Sequence, residues 1–159
     1  MTWLVGIVVA AALLVVVLGQ LGAFSGSAPS KLGVRDGRLK PPSRTPNSVT
    51  SQAALYPDHP LREYAQIDPL PASGDAASSI GRVRRVVEAM SGAKVVEARD
   101  DYLYAQFTTR LMGFVDDVEF WFDPVARVVQ VRSASRVGRK DYGVNRARVE
   151  AIRSRLTPP

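Results

Sequence analysis

The hydrophobic pattern divides the chain into three unequal pieces. Trp3 to Leu18 is apolar throughout apart from Gly6, and the run extends through Gly19, Gln20, Leu21, Gly22 and Ala23 to Phe24. As a helix these 22 residues reach about 33 Å, enough to cross a hydrocarbon core of about 30 Å. Residues 1–24 are therefore expected to be a transmembrane anchor. The flank before the run is only Met-Thr, without the Lys or Arg of a secretory leader, and Ala23-Phe24-Ser25 offers a weak small-x-small cleavage site, so the segment reads as uncleaved. Residues 25–60 show little apolar periodicity and hold six of the eleven prolines (Pro29, Pro41, Pro42, Pro46, Pro57 and Pro60), the pattern of a linker.

Regular periodicity begins in the third piece, residues 61–159. Asp75 offers an N-cap, and Ala76, Ile80, Val83, Val87 and Met90 follow at steps of 4, 3, 4 and 3, which predicts an amphipathic helix with Gly92 at its stop. Lys94–Ala98 and Tyr102–Thr108 read as strands joined at Asp100-Asp101, with Leu103, Ala105 and Phe107 alternating against Tyr102, Tyr104 and Gln106. A second hairpin follows. Val118, Phe120 and Phe122 alternate with Glu119 and Trp121, Asp123-Pro124 starts the turn, and the chain returns from Arg127 to Ala134 with Val129 and Val131 on one face. Val149, Ile152 and Leu156 predict a last helix opening near Asn145. Helix, four antiparallel strands and helix imply an α+β fold, a two-layer sandwich with two helices on one face of an antiparallel sheet, preceded by one transmembrane helix.

Composition removes several chemistries. There is no cysteine, hence no disulfide, thiolate metal site or cysteine nucleophile, and the single His59 sits in the turn-like Asp58-His59-Pro60. No cofactor or metal motif is present. The net charge of +6 raises nucleic acid as a partner, but its distribution argues against it. From Arg127 onward nine basic residues meet only Asp141 and Glu150, giving +7, while Glu97 to Asp123 sums to −5. An acidic stretch followed by a basic one in a small domain most simply means that the two face each other.

Three runs carry a family resemblance. Phe114-Val115-Asp116-Asp117-Val118-Glu119-Phe120, Val131-Arg132-Ser133-Ala134-Ser135-Arg136-Val137-Gly138 and Asp141-Tyr142-Gly143-Val144-Asn145-Arg146 resemble the signature of the domain-of-unknown-function 1499 family of bacteria and plant plastids. Leu32–Leu39 and Pro46–Gln52 fit the same family's approach segment. Many relatives carry two cysteines flanking the Pro-Asn pair, where this chain has Pro42 and Ser48. The resemblance implies an exported domain; it implies no catalytic residue. Lys31, Arg35, Arg38, Lys40 and Arg44, close behind the apolar run, point by the positive-inside rule to the cytoplasm instead. We expect a single-pass inner-membrane protein and set the exported, periplasmic side ahead.

The candidate chemistry is a polar cluster: Asp116, Asp117 and Glu119 beside Arg132, Ser133, Ser135 and Arg136, with Asn145 and Arg146 at the start of the last helix. Asp117 and Glu119, two apart on one strand, could bind a divalent cation or act as an acid/base pair. The simpler reading is structural, with Arg132 and Arg136 gripping the carboxylates across the hairpin. Asn145 is expected as an N-cap. With no catalytic constellation and no metal or cofactor set, the expected function is a membrane-tethered, non-enzymatic binding or accessory module with a protein partner. The alternative is a small-ligand-binding or hydrolytic protein using the acidic and arginine cluster.

Overall fold

The computed structural model of the chain describes residues 2–157. Helix α1, Thr2–Gln20, is followed by strand β1 (Ser48–Thr50), a 3-10 turn (Ala53–Leu55), the short helix α2 (Arg62–Ala65), strand β2 (Leu70–Pro71) and helix α3 (Ala76–Glu88). Strands β3 (Ala93–Ala98), β4 (Tyr102–Thr108), β5 (Val115–Asp123) and β6 (Val128–Ser135) then lead into helix α4, Val144–Leu156. The strands form one antiparallel sheet in the order β1-β6-β5-β4-β3, with β2 also on β6. The two expected hairpins are present, β3 pairing with β4 across a bulge at Val95–Glu97 and β5 with β6. Asp75 caps α3, its carboxylate accepting from the Ser78 N–H at 2.8 Å.

Period-two alternation decides which face packs against what. Leu103, Ala105 and Phe107 of β4, Val118, Phe120 and Phe122 of β5, and Val129 and Val131 of β6 all turn to one face. There they meet Ile80, Val83 and Val87 of α3 and Val149, Ile152 and Leu156 of α4. Both helices thus cover one face of the sheet, in an α+β domain led by one helix long and apolar enough to cross a membrane.

The stretch expected as a linker belongs instead to the folded domain over much of its length. β1 pairs with the edge of β6, matching Ser48, Val49 and Thr50 to Ala134, Ser133 and Arg132. Before it, residues 32–41 wrap the face that the helices leave bare: Leu39 is 2% exposed and packs with Tyr102 and Tyr104, flanked by Leu32, Val34 and Trp121. This cover lacks a ladder of its own, so side chains satisfy its backbone. Gln52 accepts from the Leu39 N–H at 2.8 Å and donates to Gly37 O at 2.8 Å, and the Tyr56 hydroxyl donates to Leu39 O at 2.8 Å. Prolines fit such an irregular cover as well as they fit a tether.

Nor does α1 end in free chain. Its last turn is seated on the β4–β5 loop, where Gln20 Nε2 donates to Arg110 O at 2.7 Å and to Leu111 O at 2.9 Å. Two glycines allow the approach. A Cβ on Gly19 would stand 2.6 Å from Met112 O, and one on Gly113, whose φ is +66°, would stand 2.3 Å from Gly19 O. Phe24 then stacks on Phe114 with ring centroids 5.6 Å apart.

Phe120 is fully buried at the centre of the helix-covered face. Truncating it to Ala is expected to cost about 3–5 kcal/mol in chemical denaturation, the transfer and cavity penalty of a large core aromatic. A loss below about 1 kcal/mol would contradict this packing.

Candidate functional site

Asp116 and Asp117 are neighbours in sequence but lie on opposite faces of the sheet, because successive strand residues point opposite ways. The same parity divides the whole predicted cluster. Asp116, Ser133, Ser135 and Asn145 fall on the helix-covered side, while Asp117, Glu119, Arg132 and Arg136 fall under the N-terminal cover. One cluster expected from the sequence is two networks in the structure.

On the helix side, Asp116 accepts from Arg148 at 2.5 Å, with both side chains nearly buried. Arg148 also donates to Asn145 Oδ1 at 2.7 Å and Ser133 Oγ at 3.0 Å, and its guanidinium lies 4.8 Å from the Phe107 ring centre. Asn145 is not the N-cap. It is the second residue of α4, fully buried, and its amide donates to Asn47 O, Ser135 Oγ and Asp141 Oδ2 at 2.8–3.1 Å. The N-cap position is Gly143, which has no side chain to offer, and Asp141 two residues earlier supplies the carboxylate, accepting from the backbone N–H of Gly143 at 3.1 Å and of Asn145 at 3.2 Å. The Tyr64 hydroxyl donates to it as well. Burial alone would raise the Asp141 carboxyl, but these hydrogen bonds hold it below the usual carboxylate value. Burial and the same carboxylate push the Tyr64 phenol up to about 12. Asn47 closes the network, donating to Gly138 O at 2.9 Å while its own carbonyl accepts from Ser135 N at 3.0 Å.

Under the cover, Arg136 grips Asp117 in bidentate fashion at 2.8 and 2.7 Å, and the Tyr104 hydroxyl donates to the same carboxylate at 2.5 Å. Asp117 raises the Arg136 guanidinium above its ordinary value, and burial followed by the donation to Asp117 raises the Tyr104 phenol. Glu119, fully buried, accepts at Oε1 from the Tyr102 hydroxyl (2.9 Å) and the Gly33 N–H (2.7 Å), while Oε2 is buried without a partner. Arg132 stands opposite Glu119 in the ladder but does not grip it; its Nε donates to Pro41 O at 3.3 Å. Burial pushes the Arg132 guanidinium down, opposed by the fields of Glu119 and Asp117.

These arrangements limit the chemistry. Asp117 and Glu119 do share a face, but each is already held by its own donors, and no cluster of three or more metal-ligating side chains occurs among the described residues. Ser133 Oγ donates to Asn145 Oδ1 at 2.6 Å and Ser135 Oγ accepts from the Asn145 amide, so each serine faces an amide rather than a base. Arg146 stands apart and donates to Tyr64 O at 2.6 Å. His59 stays in its turn, accepting from the Leu61 N–H at 3.2 Å. Beside the helix-side network, one of several clefts that open to solvent, about 290 Å³ in volume, lies between the β4–β5 and β6–α4 loops. Phe114, Val137, Val144 and Tyr142 line it with Lys140, and Ser135, Asp116 and Asp141 form its polar side.

The sequence pattern missed Asn47, Tyr64, Asp141 and Arg148 as members of the helix-side network. Two signals were present: Asp141 lies four residues before Asn145, the approach to a helix start, and Arg148 lies one turn after it on the same helix face. Asn47 and Tyr64 arrive from distant segments and leave no local pattern.

An antiparallel sheet with two helices on one face, a wrapped second face and paired buried charges defines an α+β domain behind one apolar helix. The chain belongs to the family described as Protein of unknown function (DUF1499), which matches residues 38–156. No curated protein matches the chain. The match thus takes in β1, part of the cover and, Gly33 apart, both networks.

Replacing Arg148 with Ala would leave Asp116 buried without its cation and remove the donor to Ser133 and Asn145. The variant is expected to lose about 3–5 kcal/mol by urea denaturation. Adding Asp116→Asn should recover part of that loss, since the uncompensated charge goes with it. A double variant no more stable than Arg148→Ala would show that the charge pair is not what the site depends on.

Proposed function

We propose that the protein is a single-pass, membrane-anchored module that acts by binding, and that its binding element is the cleft between the β4–β5 and β6–α4 loops. The observation that carries this reading is the seating of α1: Gly19 and Gln20 pack on the β4–β5 loop, and that loop supplies Thr109 and Phe114 to the cleft. A leader destined for removal has no reason to be fitted to the domain through two glycines. The buried carboxylates support binding over hydrolysis, because Asp116 and Asp117 are each tied to an arginine. A general base has to reach the proton it abstracts, and both carboxylates are buried and already engaged within the fold.

Native mass spectrometry of the full chain, extracted in membrane-derived nanodiscs, tests the reading. A stoichiometric companion, protein or small molecule, should accompany the chain. Val137→Trp, at a 40%-exposed position on the cleft wall, should displace it with little change in stability. A chain recovered alone, or a companion indifferent to that substitution, would overturn the proposal.

We further place the domain on the exported side, following the resemblance to exported relatives. Alkaline phosphatase fused after Pro159 should then be active and a green fluorescent protein fusion dark. The reverse pair of signals would put the domain in the cytoplasm and limit its partners to the inner membrane surface.

A further inference from the structure

The end of the domain that receives α1 differs from the opposite end in both polarity and charge. Spanning residues number 19 in α1, about 28 Å of helix, so a bilayer of about 30 Å places Gly19 and Gln20 at its surface. The β4–β5 loop, bonded to those residues, is then at the surface too. β6 runs antiparallel to β5, with Ser135 opposite Asp116, so the β6–α4 loop emerges at the same end. Together the two loops expose Leu111 (62%), Val137 (40%) and Tyr142 (91%) with the cations Arg110, Arg139 and Lys140, while Arg136 and Asp141 are committed to buried partners. Tyr142 holds this position at a φ of +51°, a strained backbone for a non-glycine residue that turns its ring fully outward. At the far end of the sheet, about 30 Å away along the nine residues of β5, the β3–β4 and β5–β6 turns carry Arg99, Asp100, Asp101, Asp123 and Arg127, a net −1.

We infer that this end of the domain is a docking surface for an anionic lipid bilayer, resting on the reading of α1 as a retained anchor. Leu111 enters the interface beside the helix, Tyr142 lies at headgroup depth with its hydroxyl in water, and Arg110, Arg139 and Lys140 meet lipid phosphates. The commitment to lipid rather than a protein follows from continuity: the surface begins at the residue where the spanning helix ends. Apolar side chains ringed by cations suit an acyl–headgroup boundary. Docked this way, the domain stands upright, with the cleft mouth facing the membrane and the acidic turns pointing away. The cleft is then supplied from the bilayer.

The absence of cysteine makes the orientation directly measurable, since each engineered thiol is unique. Leu111→Cys, Tyr142→Cys, Val125→Cys and Val8→Cys variants of the full chain, carrying an environment-sensitive fluorophore, would be reconstituted in nanodiscs of mixed anionic and zwitterionic lipid. Quenching by headgroup spin-labelled lipid should be at least several-fold stronger at Leu111 and Tyr142 than at Val125, which is 92% exposed on the far turn. In purely zwitterionic nanodiscs the Tyr142 signal should fall by at least half. Leu111 quenched no more than Val125, while Val8 is quenched by acyl-chain spin labels, would overturn the docked orientation and leave the anchor standing. An unquenched Val8 would overturn both. Strong quenching at Tyr142 that ignores lipid charge would overturn the role given to Arg139 and Lys140.

Discussion

A strand buried on both faces cannot leave any of its side chains to water, and β5 is such a strand. Val115 to Phe120 are all buried, three of the six being carboxylates. An ionised group removed from water without partners costs several kcal/mol, so Asp116, Asp117 and Glu119 set conditions that the rest of the chain must meet. On one face α4 must bring Arg148 to Asp116. On the other, β6 must lead directly into Arg136, β4 must present Tyr102 and Tyr104 hydroxyls, and the N-terminal segment must deliver the Gly33 N–H to Glu119. Four separate segments are thus positioned by three carboxylates of one strand.

That constraint also explains how much could be read beforehand. The helices, the two hairpins and their facing follow from periods that any short window of sequence contains, so Ile80, Val83 and Val87 or Val118, Phe120 and Phe122 declare their face without knowledge of anything else. Parity declared that Asp117 and Glu119 share a face; the same rule separates Asp116 from both, although the sequence pattern grouped all three in one cluster. The partners of those carboxylates were harder. Arg136 is local to the hairpin and was visible; Arg148 is 32 residues from Asp116, and Gly33 is 86 residues from Glu119. The cover was hidden for a related reason. A segment whose backbone is satisfied by Gln52 and Tyr56 has no ladder and no period, and its prolines cannot be told from those of a flexible tether. Asn145 shows the opposite error. A residue with strong capping preference was needed inside the network; the N-cap position fell to Gly143, and the capping carboxylate to Asp141.

Conservative geometry at the other junction carries a second constraint. Two backbones cannot approach as α1 and the β4–β5 loop do unless both facing positions lack a Cβ, and here Gly19 and Gly113 meet that need from sites 94 positions apart in the sequence. Gly19 by itself looks like an interruption of an apolar helix, and Gly113 by itself like a turn residue. Paired, they fix the direction in which the helix leaves the domain. A helix joined rigidly keeps a fixed direction relative to the domain; one joined by mobile chain does not.

The basic charge of the C-terminal part divides along the same lines. Of the nine basic residues from Arg127 onward, Arg136 and Arg148 hold the buried aspartates, and Arg132, Arg146 and Arg153 donate to the carbonyls of Pro41, Tyr64, and Pro69 with Asp68. Five of the nine are therefore turned to internal purposes, and a net +6 overstates what the surface offers to a polyanion. Charge committed to a buried pair neither steers association nor releases counterions from a partner's phosphates. What remains outward between the sheet and α4 is Arg139 and Lys140, beside an exposed tyrosine, at the end of the domain where the apolar helix departs. Two cations and an aromatic ring are residue types found where proteins meet a membrane surface, and the docking surface proposed above is built on them.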